Sequence, residues 1–305
     1  MFGNIKLTSL VVVCALGLVL QGCSVSSTNA VVKPGERKSG FMGLSKTADV
    51  LVDNQGALKD HATKVIVGSF KVGFVTDSKA RSTAKGGFFS TGVSSGHASA
   101  AVHLKGLSSQ DMQKITNDIY ADFVKNLQDR GYAVMTAQEL ANEPAYADVQ
   151  SAGTASSEEG VILNIAPEAK TTYVAPDGMK LIYFIGEKKA MLDLSTETIK
   201  KVRALNDKAG VPVLAVNYLV NFVGTETHGG WVSTATIQVG QGIRIGFGTA
   251  TVYNGKNRAP AVIKLGQPVY SEKEFCSIEK TTSAAAKTLG TAVNVKLGTR
   301  TFVPI

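Results

Sequence analysis

Residues 231–247 carry the clearest two-residue period in the chain. Trp231, Ser233, Ala235, Ile237, Val239, Gln241, Ile243, Ile245 and Phe247 fall on one face, and the other face is mostly Gly, Thr and Gln with Arg244. A β-strand sends successive side chains to opposite sides, so this pattern requires an extended segment with one apolar face. The preceding run, Val211 to Val223, is apolar on both alternating sets. Val213, Leu219 and Val223 lie on one side, and Leu214, Val216, Val220 and Phe222 on the other. That is the signature of a strand covered on both faces. Residues 225–230, Thr-Glu-Thr-His-Gly-Gly, connect the two segments into a long Gly-rich alternating β-hairpin. A turn at Tyr253-Asn254-Gly255-Lys256 ends it, and a further strand is expected over Ala261 to Val269.

Helical periodicity occupies other parts of the chain. Ser108 and Asp111 form a capping box ahead of a stripe of Met112, Ile115, Ile119, Phe123 and Leu127, stopped by Gly131. A short strand over Tyr132 to Met135 and a helix over 137–148 follow. Further helices are expected over 196–209, opened by Thr196, and over 272–289, where Ser271 and Glu274 make a second capping box. Strands are expected from Lys64 through Phe74, over Val161 to Ile165 and over Met179 to Ile185. Apolar helix stripes need a sheet to cover, so the fold class is α/β with a mixed sheet flanked by helices. Residues 77–106 are rich in Ser, Gly and Ala and read as an insertion, either a mobile loop or a weakly packed hairpin.

The amino terminus has a different logic. Lys6 precedes an apolar run from Leu10 to Leu20 that is too short for a stable membrane span, and Leu20-Gln21-Gly22-Cys23 closes it. This stretch resembles a bacterial lipoprotein signal peptide. The resemblance implies cleavage before Cys23, acylation of that cysteine, and an outer-membrane lipid anchor with the body in the periplasm; Ser24, rather than Asp, follows the cysteine. The expected organisation is a signal peptide over 1–22, a lipidated tether over 23–61 and one α/β domain over 62–305. Loss of Lys6 lowers the formal charge from +8 to +7. The basic residues are scattered, without the basic patch and interleaved aromatics of a nucleic-acid surface. Of three cysteines, Cys14 leaves with the signal and Cys23 is lipidated, so Cys276 has no internal disulfide partner and reads as a small buried hydrophobe.

A search for chemistry is mostly negative. His61, His97, His103 and His228 fall in no metal-ligand spacing, and no cofactor fingerprint is present. Gly240-Gln-Gly242 lies inside an alternating strand with no helix after it, which excludes a dinucleotide loop. Glu158 and Glu159 sit in a polar stretch and read as a solvated turn. The expectation is therefore no metal, no cofactor and no catalytic group. The alternating segment is also long enough to cross a bilayer as a strand, with Ile237, Val239, Ile243, Ile245 and Phe247 toward lipid. The competing expectation is a packed strand in a soluble sheet.

The lipobox to Cys23, the helix Asp111 to Arg130 followed by Gly131-Tyr132-Ala133-Val134, and Val211 to Phe222 leading into Trp231 to Gly255 together form a pattern. That pattern resembles curli secretion-channel-like envelope assembly lipoproteins. The resemblance implies a periplasmic α/β body, a homo-oligomeric ring and contacts with other envelope proteins. Residues 77–106 and 149–195 depart from it. The resulting expectation is a non-catalytic, outer-membrane-anchored lipoprotein acting in assembly or secretion of a surface structure. The alternative is a periplasmic small-ligand-binding protein or hydrolytic enzyme, with a pocket using the Ser/Gly loop and His97 or His103.

Overall fold

The structure is a computed structural model that describes residues 24–31, 38–39, 46–47, 52–53, 58, 63–84, 96–154, 157–160, 170–184, 192–229, 235–254, 259–265, 268–271, 276–281 and 291–297. In chain order its strands begin with β1 (Ser24–Val31), β2 (Lys38–Ser39), β3 (Lys46–Thr47), β4 (Val52–Asp53), β5 (Lys64–Ala84) and β6 (Gly96–Lys105). Helix α1 (Ser109–Asp129), β7 (Ala133–Met135), α2 (Pro144–Ser151), β8 (Ser157–Gly160), β9 (Lys170–Val174) and α3 (Leu192–Ala209) follow. The last elements are β10 (Val213–Gly229), β11 (Ala235–Tyr253), β12 (Ala261–Leu265), β13 (Val269–Tyr270), β14 (Cys276–Thr281) and β15 (Thr291–Leu297).

The fold is a mixed sheet, curled into a nearly closed barrel and flanked by three helices. Its strand order is β14-β15-β6-β5-β10-β11-β12-β4 among the described residues. β10 lies parallel to β5 and antiparallel to β11. β5 pairs antiparallel with β6, and β15 runs parallel to β6. β1 adds to β11 in parallel and touches β14, which brings the two ends of the curled region together. Sheet twist and the bulges in β5 and β11 supply the curvature that closure needs.

Below the curled region lies the main core. Phe70 contacts Tyr120 and Phe123 of α1 edge-on or tilted, with ring centroids 5.2 and 5.5 Å apart, and it meets Tyr218 of β10 at 5.8 Å. Phe74 stacks on Phe222 on the same side of the sheet. The opposite side packs α3: Leu205 and Val213 crowd Gly68. Gly210, at φ +67°, ends α3 in the left-handed region that favours glycine. Lys208 of α3 reaches Glu143, the cap of α2, at 2.5 Å, and Lys201 donates to Ser151 of α2 at 2.9 Å. These contacts dock the two helices together.

Several expectations change in the folded chain. Ser24–Val31 lies in the expected tether, yet it forms β1, because its backbone completes the free side of β11. The helix expected over 137–148 is displaced: 137–142 is a turn, and α2 starts at Pro144, whose fixed φ suits the first helical turn. α3 begins at Leu192, ahead of the expected Thr196 cap. The helix expected over 272–289 is contradicted at Cys276–Thr281, which is strand β14 paired antiparallel with β15. Its capping box is a local signal, and ladder pairing with Thr291–Leu297 outweighs it. Met179 and Leu181 to Tyr183 are buried, but the segment forms no strand. Its backbone is satisfied from elsewhere: Thr154 N donates to Leu181 O at 3.0 Å, and Lys71 Nζ donates to Ile182 O at 2.8 Å. Helix α1, with both arms of its Ser108–Asp111 capping box, matches the expected helix and its cap. Residues 161–165, Trp231, Ile185 and the tip of the Ser/Gly-rich insertion at 85–95 lie outside the described residues; its flanks pair as β5 and β6.

Candidate functional site

The alternating face of β11 is divided by the fold. In antiparallel pairing, opposed residues point the same way. Val220 opposes Ile245 and Val223 opposes Gln241, with a register shift between Asn221 and Val223. Val220 and Val223 are three apart on β10, so they point to opposite sides, and so must Ile245 and Gln241. The extra β11 residue in the bulge turns the strand over. Ile237 and Val239 are fully buried inside the near-barrel, beside Ala98, Ala100 and Val102 of β6. Ile243 and Ile245 lie on the other side, toward α1. The single apolar face expected from Ile237 to Phe247 is thus two half-faces with different neighbours; the Phe247 side chain is outside the described residues.

Two cavities follow from this crossover, back to back across β10. The larger is a groove of about 480 Å³ between α1 and the sheet. Ile115, Ile119, Phe123 and Leu127 line one wall, and Tyr218, Val220, Phe222, Ile243 and Ile245 the other. The four α1 residues are only partly buried, so the helix stripe does not close onto the strands beneath it. Tyr218 cannot fill the gap because its ring lies over Gly248; a Cβ there would come within 2.8 Å of the ring. Asp118, Asp122, Asn126 and Arg130 of α1 add the polar groups to a mostly apolar lining. Burial pushes the Tyr218 phenol above its usual pKa, as it does for Tyr120 beside Phe70.

The smaller cavity, about 290 Å³, lies in the near-barrel where it joins the body. Asn221, Val223, Thr225, Ser78, Val102 and Arg244 line it, among others. Asn221 and Arg244 are opposed in register, so both side chains project to this side of the sheet. Sequence reasoning missed both cavities. The α1 stripe and the run of Val220 and Phe222 were visible, but their incomplete closure depends on the Gly248–Tyr218 contact and on the β11 bulge.

Other anticipated sites are placed as follows. Cys23 and residues 1–22 lie outside the described residues. His103 on β6 meets Asp77, directly opposite on β5. Both alternate with cavity-facing residues, so they lie on the outer wall. Thr76 Oγ1 contacts Asp77 at 3.1 Å, placing the hydroxyl at the carboxylate and not at the imidazole, where a nucleophile would need to be. His97 opposes Thr83 in the β5–β6 ladder, and its side chain lies outside the described residues. No group of three or more His, Cys, Asp or Glu suited to a metal occurs among the described residues. No described helix is long and apolar enough to cross a membrane. Compared with family models, curated proteins and solved structures, the chain shows no match, so its functional reading rests on the two cavities themselves.

Proposed function

We propose that this chain is an envelope lipoprotein, anchored through Cys23, whose body binds a small uncharged apolar ligand in the groove under α1. The observation that carries the reading is the groove itself: about 480 Å³, walled by aliphatic and aromatic side chains, and left open by a helix that is otherwise well capped. A concave, mostly apolar pocket of that size with few polar groups is the usual form of a small-molecule site. Binding needs no metal, no cofactor and no catalytic group. The test is titration with the neutral dye N-phenyl-1-naphthylamine. The native chain should bind it saturably at one site. Ile243→Trp, which fills the groove from the β11 wall, should abolish binding while the unfolding midpoint holds or rises. Equal dye binding by the native and Ile243→Trp chains would refute the reading. The anchor is tested separately, by mass spectrometry of the mature amino-terminal peptide; a chain starting elsewhere than acylated Cys23 refutes it.

A second reading has its own supporting observation. The strand pairs β5–β6 and β10–β11 run well past the helix-covered body, and β11 carries Gly240, Gly242, Gly246 and Gly248. Read as a long Gly-rich alternating hairpin, this second pair suits an assembly or secretion lipoprotein acting as a homo-oligomer with other envelope proteins. In a ring, a neighbouring copy would cover the groove. Detergent-extracted protein should then run as a large homogeneous species that excludes the dye. A monomer that binds the dye contradicts this second reading.

A further inference from the structure

We propose that the rim of the near-barrel is the face that meets the membrane, and that the chain stands on the bilayer surface by this rim, with no slack between lipid and body. The inference rests on the Cys23 anchor proposed above and adds where that anchor places the rest of the molecule. Three observations lead there. First, the expected tether is tied into the sheet at both ends. Ser24, the residue after Cys23, lies in register with Thr236, and Val52–Asp53 pairs with β12. Val25 packs against the inner cluster of Ala98, Ala100, Val102, Ile237 and Val239, so burial as well as a ladder holds β1. Second, Ser24 lies where several strands end. Ala235, one residue before Thr236, starts β11 and opposes Gly229, the last residue of β10. β5 and β10 run parallel as far as Phe74 and Val220; β5 then continues for 10 residues to Ala84 and β10 for 9 to Gly229. These strand ends form one rim. Consecutive Cα atoms are only about 3.8 Å apart, so acyl chains on Cys23 leave the protein at that rim.

Third, the near-barrel keeps its hydrocarbon inside. A barrel that crosses a bilayer needs an apolar outer band. Here Val25, Ile237 and Val239 face the interior, and strand alternation sends Ser26 and Gln238 outward, as it does Ser99 between Ala98 and Ala100. Asp77 and His103 lie on the outer wall as well. A wall of hydroxyl, amide, carboxylate and imidazole groups is costly to move from water into lipid chains. The acyl chains therefore enter the bilayer and the strands stop at its surface. That arrangement fixes heights. Ile243 in the groove lies seven residues along β11 from Thr236, roughly 20 Å of strand. Helix α2 is farther away. Gln150 donates to Gly68 O, at the level where Ala215 opposes Thr251. Thr251 is 15 residues along β11 from Thr236, or about 50 Å of strand. The groove and the helices thus stand off the lipid, on the aqueous side.

The experiment is energy transfer from the mature, acylated chain to a headgroup-labelled acceptor lipid in phosphatidylcholine vesicles. A maleimide donor is placed at Gln238→Cys near the rim or at Ala147→Cys, an exposed position on α2, each in a Cys276→Ser background. Transfer from position 238 should exceed that from position 147 by about twofold or more, given their separation along the strands. A variant with 12 Gly and Ser residues inserted between Ser24 and Val25 leaves β1 intact and adds slack of about 20 Å. It should cut transfer from position 238 by about half while the unfolding midpoint stays unchanged. Equal transfer from the two positions, or an insertion without effect, would show that the segment after Cys23 is already slack and would overturn the proposal. Quenching of the position-238 donor by lipids brominated at the middle of the acyl chain would place this wall in hydrocarbon, and would overturn it too. Mass spectrometry of the same samples separates the two levels. An amino terminus without acyl chains refutes the anchor itself; an acylated chain that fails the transfer test refutes only the placement of the rim.

Discussion

Gly73 sets the spacing of the sheet at its most crowded point, and replacing it with alanine tests the packing directly. Gly73 of β5 lies directly opposite Tyr173 of β9. A Cβ at this position would approach Tyr173 Cε1 to 2.5 Å and Cζ to 2.9 Å, with Leu219 Cδ1 at 3.0 Å. The ring has little room to retreat. Tyr173 is 1% exposed and packs edge-on against Tyr183, with ring centroids 6.0 Å apart. Its backbone is tied to β5 and β8 by ladder pairing. A methyl forced into such a site costs about 1–3 kcal/mol in overpacking. For a body of this size that lowers the melting temperature by roughly 2–4 °C per kcal/mol. Urea denaturation followed by tyrosine and tryptophan fluorescence should show a lower midpoint at unchanged slope. Tyr173→Leu should be destabilising alone through the cavity it leaves, yet Gly73→Ala should cost less in its presence. The expected coupling is at least about 0.5 kcal/mol. A Gly73→Ala chain with the native midpoint, or strictly additive single and double variants, would refute the argument that the ring and the missing Cβ share one space.

Other outcomes follow from the caps and buried groups of the same fold. Ser108→Ala removes the cap of α1 and should cost about 1 kcal/mol at neutral pH, measured by chemical denaturation. Hydrogen bonds from the Ser108 side chain and backbone hold the Asp111 carboxyl below its ordinary pKa. Its stabilising contribution is therefore present above the ordinary carboxylate range and lost as pH falls through the lowered value. Asp111→Asn should flatten that acid limb, and an unchanged limb contradicts the assignment. Burial raises Tyr120, Tyr146 and Tyr218, so the folded chain holds their protons after the unfolded chain releases them. Stability should fall as pH rises beyond about 10, by up to about 1.4 kcal/mol per pH unit for each phenol, and Tyr218→Phe should reduce the slope. Lys71 is 1% exposed, donates to Ile182 O and lies 5.3 Å from the Tyr183 ring centroid. Lys71→Ala should cost about 3 kcal/mol and Lys71→Met clearly less, since Met keeps the volume and loses only the polar contacts. Equal losses would show that packing is not the larger part.

Local signals in the sequence were sufficient where an element's own residues satisfy its backbone. Helix α1 is such a case: its cap, stripe and stop lie within one continuous segment. The apolar run in β10 also identified itself, because burial on both faces leaves an uninterrupted pattern. Local signals failed where a distant partner decides. Ser271 and Glu274 suggest a helix start, but Cys276–Thr281 pairs with β15. Ser24–Val31 looks like a polar tether, yet β11 offers it a ladder. Met179 to Phe184 has strand composition, and Lys71, more than 100 residues earlier, occupies the Ile182 carbonyl.

The candidate sites belong wholly to the second group. From the chain alone one reads a strand with residues at 237, 239, 243 and 245 on a single face. A bulge, set by pairing with β10, sends the first two into the near-barrel and the last two toward α1. Sequence periodicity determines that β11 is extended and half apolar. Which side each half faces, and therefore where the groove under α1 and the Arg244 cavity open, is decided by register, because one extra residue reverses every side chain after it.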